Sequence, residues 1–148
     1  MQHVDRRIMT EAEYLELENA SDVRHEYVNG RVSAMSGASL RHNAIVMNTG
    51  RALGNALEAA GRPCLVVAGD QRVHVAATGP YTYPDLAVTC EQAQLAGHDP
   101  KSLLNPGLIV EVLSPSTEHY DKTAKFAHYR SIASLAEILF IAQDKPHI

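Results

Sequence analysis

The feature that most constrains this 148-residue chain is an acid inside an apolar run: Glu111 stands within Leu108-Ile109-Val110-Glu111-Val112-Leu113. A run of that composition reads as a central sheet strand, buried on both faces. An ionised carboxylate buried there is costly unless a cation, a metal or strong hydrogen-bond donors meet it. Ser114-Pro115-Ser116-Thr117 then breaks the strand and offers helix caps, and a helix over 118–130 carries Asp121, Lys122, Lys125 and Tyr129. The stretch therefore reads as strand, turn, helix, with acid on the strand and base on the helix.

The rest of the chain supplies elements around it. Thr10 and Glu13 form a T-x-x-E capping box ahead of Tyr14, Leu15 and Leu17, which predicts a short helix over 11–18. Asn29-Gly30 lies between two strand-like runs, 25–28 and 31–35, the strongest short-range signal of a hairpin. From Ser39 the apolar positions Ile45, Val46, Leu53, Ala56, Leu57 and Ala60 recur at helical spacing, and Gly61 stops the run, so a long amphipathic helix over 39–60 should pack on the sheet. Residues 64–68 and 71–75 fit two strands or one bulged strand, the second alternating as a half-exposed strand does. Tyr81 to Cys90 reads as a further strand, the polar Glu91 to Pro106 as a loop, and Ile138 to Ile141 as a last strand. A turn at Asp144-Lys145-Pro146 just beyond it points to a missing partner strand.

A period of two puts Tyr83, Asp85 and Ala87 on one strand face and Ile109, Glu111 and Leu113 on one face of another. If these strands are neighbours in suitable register, Asp85 and Glu111 converge. Two carboxylates held together repel, a divalent cation relieves the repulsion, and oxygen-only ligands favour Mg²⁺ or Mn²⁺ over zinc. The structural alternative is a buried Glu111 paired with Lys125 or an Arg. On the same terms Asp121 and Lys125 form an ordinary i,i+4 pair, and Tyr129 packs in the core with its hydroxyl bonded.

Taken together, Glu26 on a hairpin, Pro84-Asp85, Glu111-Val112-Leu113-Ser114-Pro115-Ser116-Thr117, then Asp121, Lys125 and Tyr129 resemble the Uma-type restriction endonucleases, a branch of the PD-(D/E)XK nuclease superfamily. The resemblance runs from Thr10 to the end, and its most specific part is E-V-L-S-P-S-T followed by D-x-x-x-K-x-x-x-Y. It implies a single α/β domain over 1–148, a mixed sheet flanked by helices, with Asp85 and Glu111 as metal ligands and Glu26 as a further acidic contact. The superfamily lysine stands two residues after the glutamate, but that position here is Leu113, so the resemblance moves the role to Lys125 on the following helix. Lys122 is rotated away and should be exposed. His42 is at a position where family members often carry a histidine, although a surface or packing role is the favoured expectation. Gln71 could point toward substrate.

The implied activity is a Mg²⁺-dependent endodeoxyribonuclease, with DNA as partner and a homodimer as the working form by analogy. The rival is a non-catalytic dimerising or nucleic-acid-binding module of the same fold, and a third is a hydrolase of small phosphoesters, which needs a closed pocket rather than an open groove. The net charge of -4 excludes binding of nucleic acid through bulk positive charge. There is no P-loop or Rossmann glycine pattern, and no G-x-S-x-G elbow surrounds Ser114, so capping is its expected role. Cys64 and Cys90 form no C-x-x-C motif, which argues against a disulfide scaffold or a zinc ribbon and fits a reducing, cytoplasmic setting. No run suits a signal peptide or a membrane span.

Overall fold

A computed structural model describes residues 4–5 and 7–145, and the expected turn at Asp144-Lys145-Pro146 runs partly outside them. A short strand β1 (Val4–Asp5) leads to helix α1 (Glu11–Ala20), where the capping box forms: Thr10 Oγ1 accepts from Glu13 N, and the Glu13 carboxylate accepts from Thr10 N at 2.7 Å. The hairpin follows as β2 (His25–Val28) and β3 (Arg31–Ala34), with Asn29 and Gly30 at φ 52° and 78°, the two positive values its tight turn requires. Helix α2 (Leu40–Ala59) starts at the Ser39 cap, whose hydroxyl accepts from His42 N, and ends before Gly61 at φ 66°. It lies along the sheet as expected, yet none of its side chains is fully buried.

Residues 64–75 make two strands, β4 (Leu65–Ala68) and β5 (Arg72–His74), and these enter different sheets. The half-exposed alternation expected of β5 is not observed. All three residues are buried, because β5 is flanked by β6 (Tyr81–Thr82) and β9 (Asp99–Leu103), and because Arg72 finds Asp99 at 2.6 Å and the Tyr83 hydroxyl at 2.9 Å. The single strand expected over 81–90 is likewise divided. Pro84 cannot donate to a ladder, so the chain leaves β6, bends at Asp85 and resumes as β7 (Leu86–Thr89) in the other sheet. The expected loop over 91–106 contains a small hairpin, β8 (Leu95–Ala96) and β9 (Asp99–Leu103). Its polar residues hid it: Asp99 and Ser102 are buried because they bond each other and Asp99 pairs with Arg72.

Strand β10 (Leu108–Val112) is central, parallel to β11 (Glu137–Ile141) and antiparallel to β7. The sheets run β1-β3-β2-β6-β5-β9-β8 and β11-β10-β7-β4. Between β10 and β11 lies helix α3 over 118–129, in which one α-turn (Glu118–Tyr120) and a last α-turn (Phe126–Tyr129) enclose a π-helical turn (Asp121–Lys125). Tyr129 and Ile132 close a core with Val73, Val75 and Leu103 of one sheet and Ile109 of the other, which fastens the two sheets together. A second core, Met9, Tyr14, Val32 and Tyr81, lies under α1.

Cys64 and Cys90 form a disulfide, which corrects the expectation against one. They are 26 residues apart in sequence, but the antiparallel register Leu65 opposite Thr89 sets them across from each other, with Cα atoms 4.0 Å apart. Sequence spacing concealed a contact that strand pairing creates. Among the described residues no helix is long and apolar enough to cross a membrane.

Candidate active site

The site forms where the chain passes from one sheet to the other. In the β7–β10 ladder Leu86 faces Val110, so the next pair outward is Asp85 and Glu111. Asp85 Oδ2 accepts from Val112 N at 2.7 Å, a bond that fixes the carboxylate against the end of β10, while Oδ1 lies 3.2 Å from His42 Nε2. Opposite, β2 brings Glu26, which accepts from Tyr83 N at 3.2 Å. The π-helical turn of α3 brings Asp121 and Lys125. Such turns displace a helix face and recur at functional positions.

Lys125 is the hub of these groups. Its Nζ lies 2.8 Å from Glu111 Oε1, 3.0 Å from Glu26 Oε1 and 3.8 Å from Asp121 Oδ1, and it is 5% exposed. The Tyr129 hydroxyl lies 2.9 Å from Glu111 Oε1 and 3.1 Å from Thr82 Oγ1, so the phenol helps seat the acid. Asp85, Glu26, Glu111, Asp121, Lys125 and His42 all line one cavity of about 400 Å³, whose rim includes Ser114–Thr117 and Gln143. Gln143 ties that rim together, donating to Leu113 O at 2.8 Å and accepting from the Ser39 hydroxyl at 3.2 Å.

Four carboxyl groups face one ammonium here, and their titration reflects it. Burial pushes the Glu111 carboxyl up to about 8; Lys125 pulls against this, while Asp85, Asp121 and Glu26 add to it. Burial also raises Asp121, with Lys125 opposing. Burial draws the Lys125 ammonium down, but Glu111 and Glu26 outweigh it, so the group lies well above its ordinary value and stays charged. Tyr129 is driven up by burial and then by Glu111, so it remains a neutral donor.

The sequence-derived residues thus divide cleanly. Asp85, Glu111, Glu26, Asp121 and Lys125 come together, Tyr129 stands behind them, and Leu113 is buried where a superfamily lysine would stand. Lys122 is exposed and pairs with Glu118 at 2.9 Å, as expected. His42 departs from its favoured surface or packing role, since the cap at Ser39 turns it into the cavity, where its Nδ1 is buried without a hydrogen-bond partner among the described residues. Gln71 also departs from expectation: its amide donates to the carbonyls of Arg72 and Lys101, which anchors β5 to β9, and it does not line the cavity. Tyr120, which sequence reasoning passed over, lines the cavity with its hydroxyl pushed up to about 12 by burial. Its only signal is adjacency to Asp121.

A mixed fold of helices and two sheets, with an N-terminal helix and hairpin, is the architecture of restriction-endonuclease-like proteins. The chain belongs to the Uma2 family, described as "Putative restriction endonuclease", which matches residues 11–148. Two proteins of Synechocystis sp. (strain ATCC 27184 / PCC 6803 / Kazusa) are similar to it: the uncharacterized protein sll1609, 36% identical over 93% of this chain and 76% of its own length, and the uncharacterized protein slr1290, 35% identical over 92% and 70%. The fold is shared with a solved structure from Anabaena variabilis ATCC 29413, described as a putative nuclease belonging to DUF820. The TM-score is 0.71 at 18% identity, covering 89% of this chain and 74% of that one.

Proposed function

We propose that the protein is a metal-dependent endonuclease that hydrolyses phosphodiester bonds in DNA, with Asp85, Glu111 and Lys125 as its catalytic residues. The observation that carries this reading is the convergence of Asp85 and Glu111 beside Lys125 in one cavity between the sheets. The donor set fits a hard dication, Mg²⁺ or Mn²⁺: the acids outnumber the base, all offer oxygen, and Glu111 has its ionised form penalised until more positive charge arrives. Asp85 and Glu111 would hold the ion, with Glu26 as a third contact, and the ion would supply charge for an activated water and a polarised phosphate.

This chain's residues would do the remaining work. Val112 N holds Asp85 in place, Tyr129 holds Glu111, and Lys125 carries a proton beside the scissile phosphate, where its charge offsets what develops on the oxygens. His42, with Nε2 on Asp85, orients that carboxylate from α2.

The test is cleavage of supercoiled, linear and single-stranded DNA, and of RNA, with Mg²⁺ or Mn²⁺. DNA cleavage should fall by about 10²-fold or more in Asp85→Ala and Glu111→Ala. Activity unchanged in both would refute the assignment. The contact of Lys125 with both Glu111 and Glu26 favours a second reading, a non-catalytic module whose acids are neutralised internally. That reading requires Mg²⁺ binding no tighter than to an exposed carboxylate pair, which calorimetry measures directly.

A further inference from the structure

Across the seven-stranded sheet from the cavity, Glu11, His74 and His98 bring one ligand atom each to within 4.8 Å of one another, and none of the three lines the cavity. Glu11 is the first residue of α1, His74 ends β5, and His98 is in the turn of the β8–β9 hairpin. We propose that these three residues form a second metal site, a zinc site that fastens α1, β5 and the β8–β9 hairpin to one another.

The spacing supports this. Four ligands about 2.0–2.1 Å from a tetrahedral zinc lie about 3.3 Å from each other. Glu11 Oε1 is 3.3 Å from His98 Nε2 and 3.9 Å from His74 Nε2. The His98 side chain is half exposed, so a rotation of its ring can close the remaining gap.

His74 is held as a ligand should be. Its Nδ1 donates to Pro80 O at 3.1 Å, which fixes the proton there and leaves the Nε2 lone pair toward Glu11. Its ring stacks on Tyr81 at 4.0 Å between centroids and 14° between planes. An acceptor lone pair 3.9 Å from a carboxylate oxygen is too far for a hydrogen bond and is well placed for a shared cation. The Tyr81 hydroxyl donates to Glu11 Oε1 and lies 2.7 Å from His98 Nε2, the same two atoms that would turn to the metal. Two imidazoles and one carboxylate select zinc over the hard cations suited to the all-oxygen cavity. Zinc would take the place of the hydrogen bonds that the Tyr81 hydroxyl makes with Glu11 and His98 Nε2, and solvent would complete its shell on the exposed side.

The test needs no nuclease activity. Tag-free protein, stripped by chelator and titrated with zinc alone in non-reducing buffer, should bind one equivalent and unfold at a higher temperature. Cobalt in its place should give the visible absorption of a tetrahedral site. His98→Ala and Glu11→Gln, both at exposed side chains, should weaken binding on the order of ten-fold or more and abolish the thermal shift. Asp85→Asn, in the other site, should leave zinc affinity unchanged. Absence of saturable one-to-one binding, undiminished binding in both His98→Ala and Glu11→Gln, or loss of binding in Asp85→Asn would each overturn the proposal.

Discussion

At the scale of single residues, Glu111 and Lys125 set the pH behaviour of the protein. The folded Glu111 carboxyl titrates near 8 against an ordinary value of 4.5, so the native state keeps a proton that the unfolded chain releases. Its contribution to stability is complete below about 4.5 and is lost as pH rises through about 8. The urea midpoint of metal-free protein should fall across that window, and Glu111→Gln should flatten the slope. Bound dication competes with the same proton, so Mg²⁺ affinity measured by calorimetry should climb as pH approaches 8 from below. Lys125→Met removes the cation from Glu26 and Glu111 together. Breaking a buried pair in this way costs about 3–5 kcal/mol above pH 8, where Glu111 is ionised, and the loss should be smaller at pH 5, where Glu111 already holds its proton. A denaturation series at two pH values tests this.

At the scale of elements, the hairpin and the disulfide make separable predictions. A Cβ on Gly30 would come within 2.8 Å of Ile8 Cγ2 and would have to adopt φ 78°, so Gly30→Ala should destabilise by about 1–3 kcal/mol in urea titration. The Cys64–Cys90 bond spans 26 residues, for which loop-closure entropy gives about 3.5 kcal/mol, so reduction should lower the unfolding free energy by about that amount. These two features also show what a sequence displays and what it hides. Asn29-Gly30, the Thr10 box and the apolar run around Glu111 announce themselves because their causes are local: positive φ, an N-cap, burial on two faces. The disulfide, the β8–β9 hairpin and the division of 81–90 do not, because each depends on a partner far along the chain: Leu65 opposite Thr89, Arg72 against Asp99, β6 and β7 claimed by different sheets. The same rule governs the site. Asp85 and Glu111 are legible through strand period and an out-of-place acid, whereas His42 and Tyr120 reach the cavity only through the tertiary placement of α2 and α3.

At the scale of the whole molecule, the proposed cleavage would need two sites to cut both strands of a duplex, and the protein exposes apolar side chains that a second copy could cover. Leu40 and Met47 on α2 are 87% and 72% exposed, and Leu65 on the neighbouring edge strand β4 is 59% exposed. Sedimentation at micromolar concentration should report two copies, and Met47→Glu should shift the protein toward one copy without altering its fold by circular dichroism.

The placement of Lys125 has a further consequence. One ammonium holds Glu26 in the larger sheet and Glu111 in the smaller, so it acts as a rivet through both plates of the molecule. A phosphate that draws this ammonium toward itself loosens the rivet, and amide exchange along β2 and β10 should quicken when an inorganic phosphate analogue occupies the site. Grip on the ligand and grip on itself then compete for the same charge, and strengthening one weakens the other.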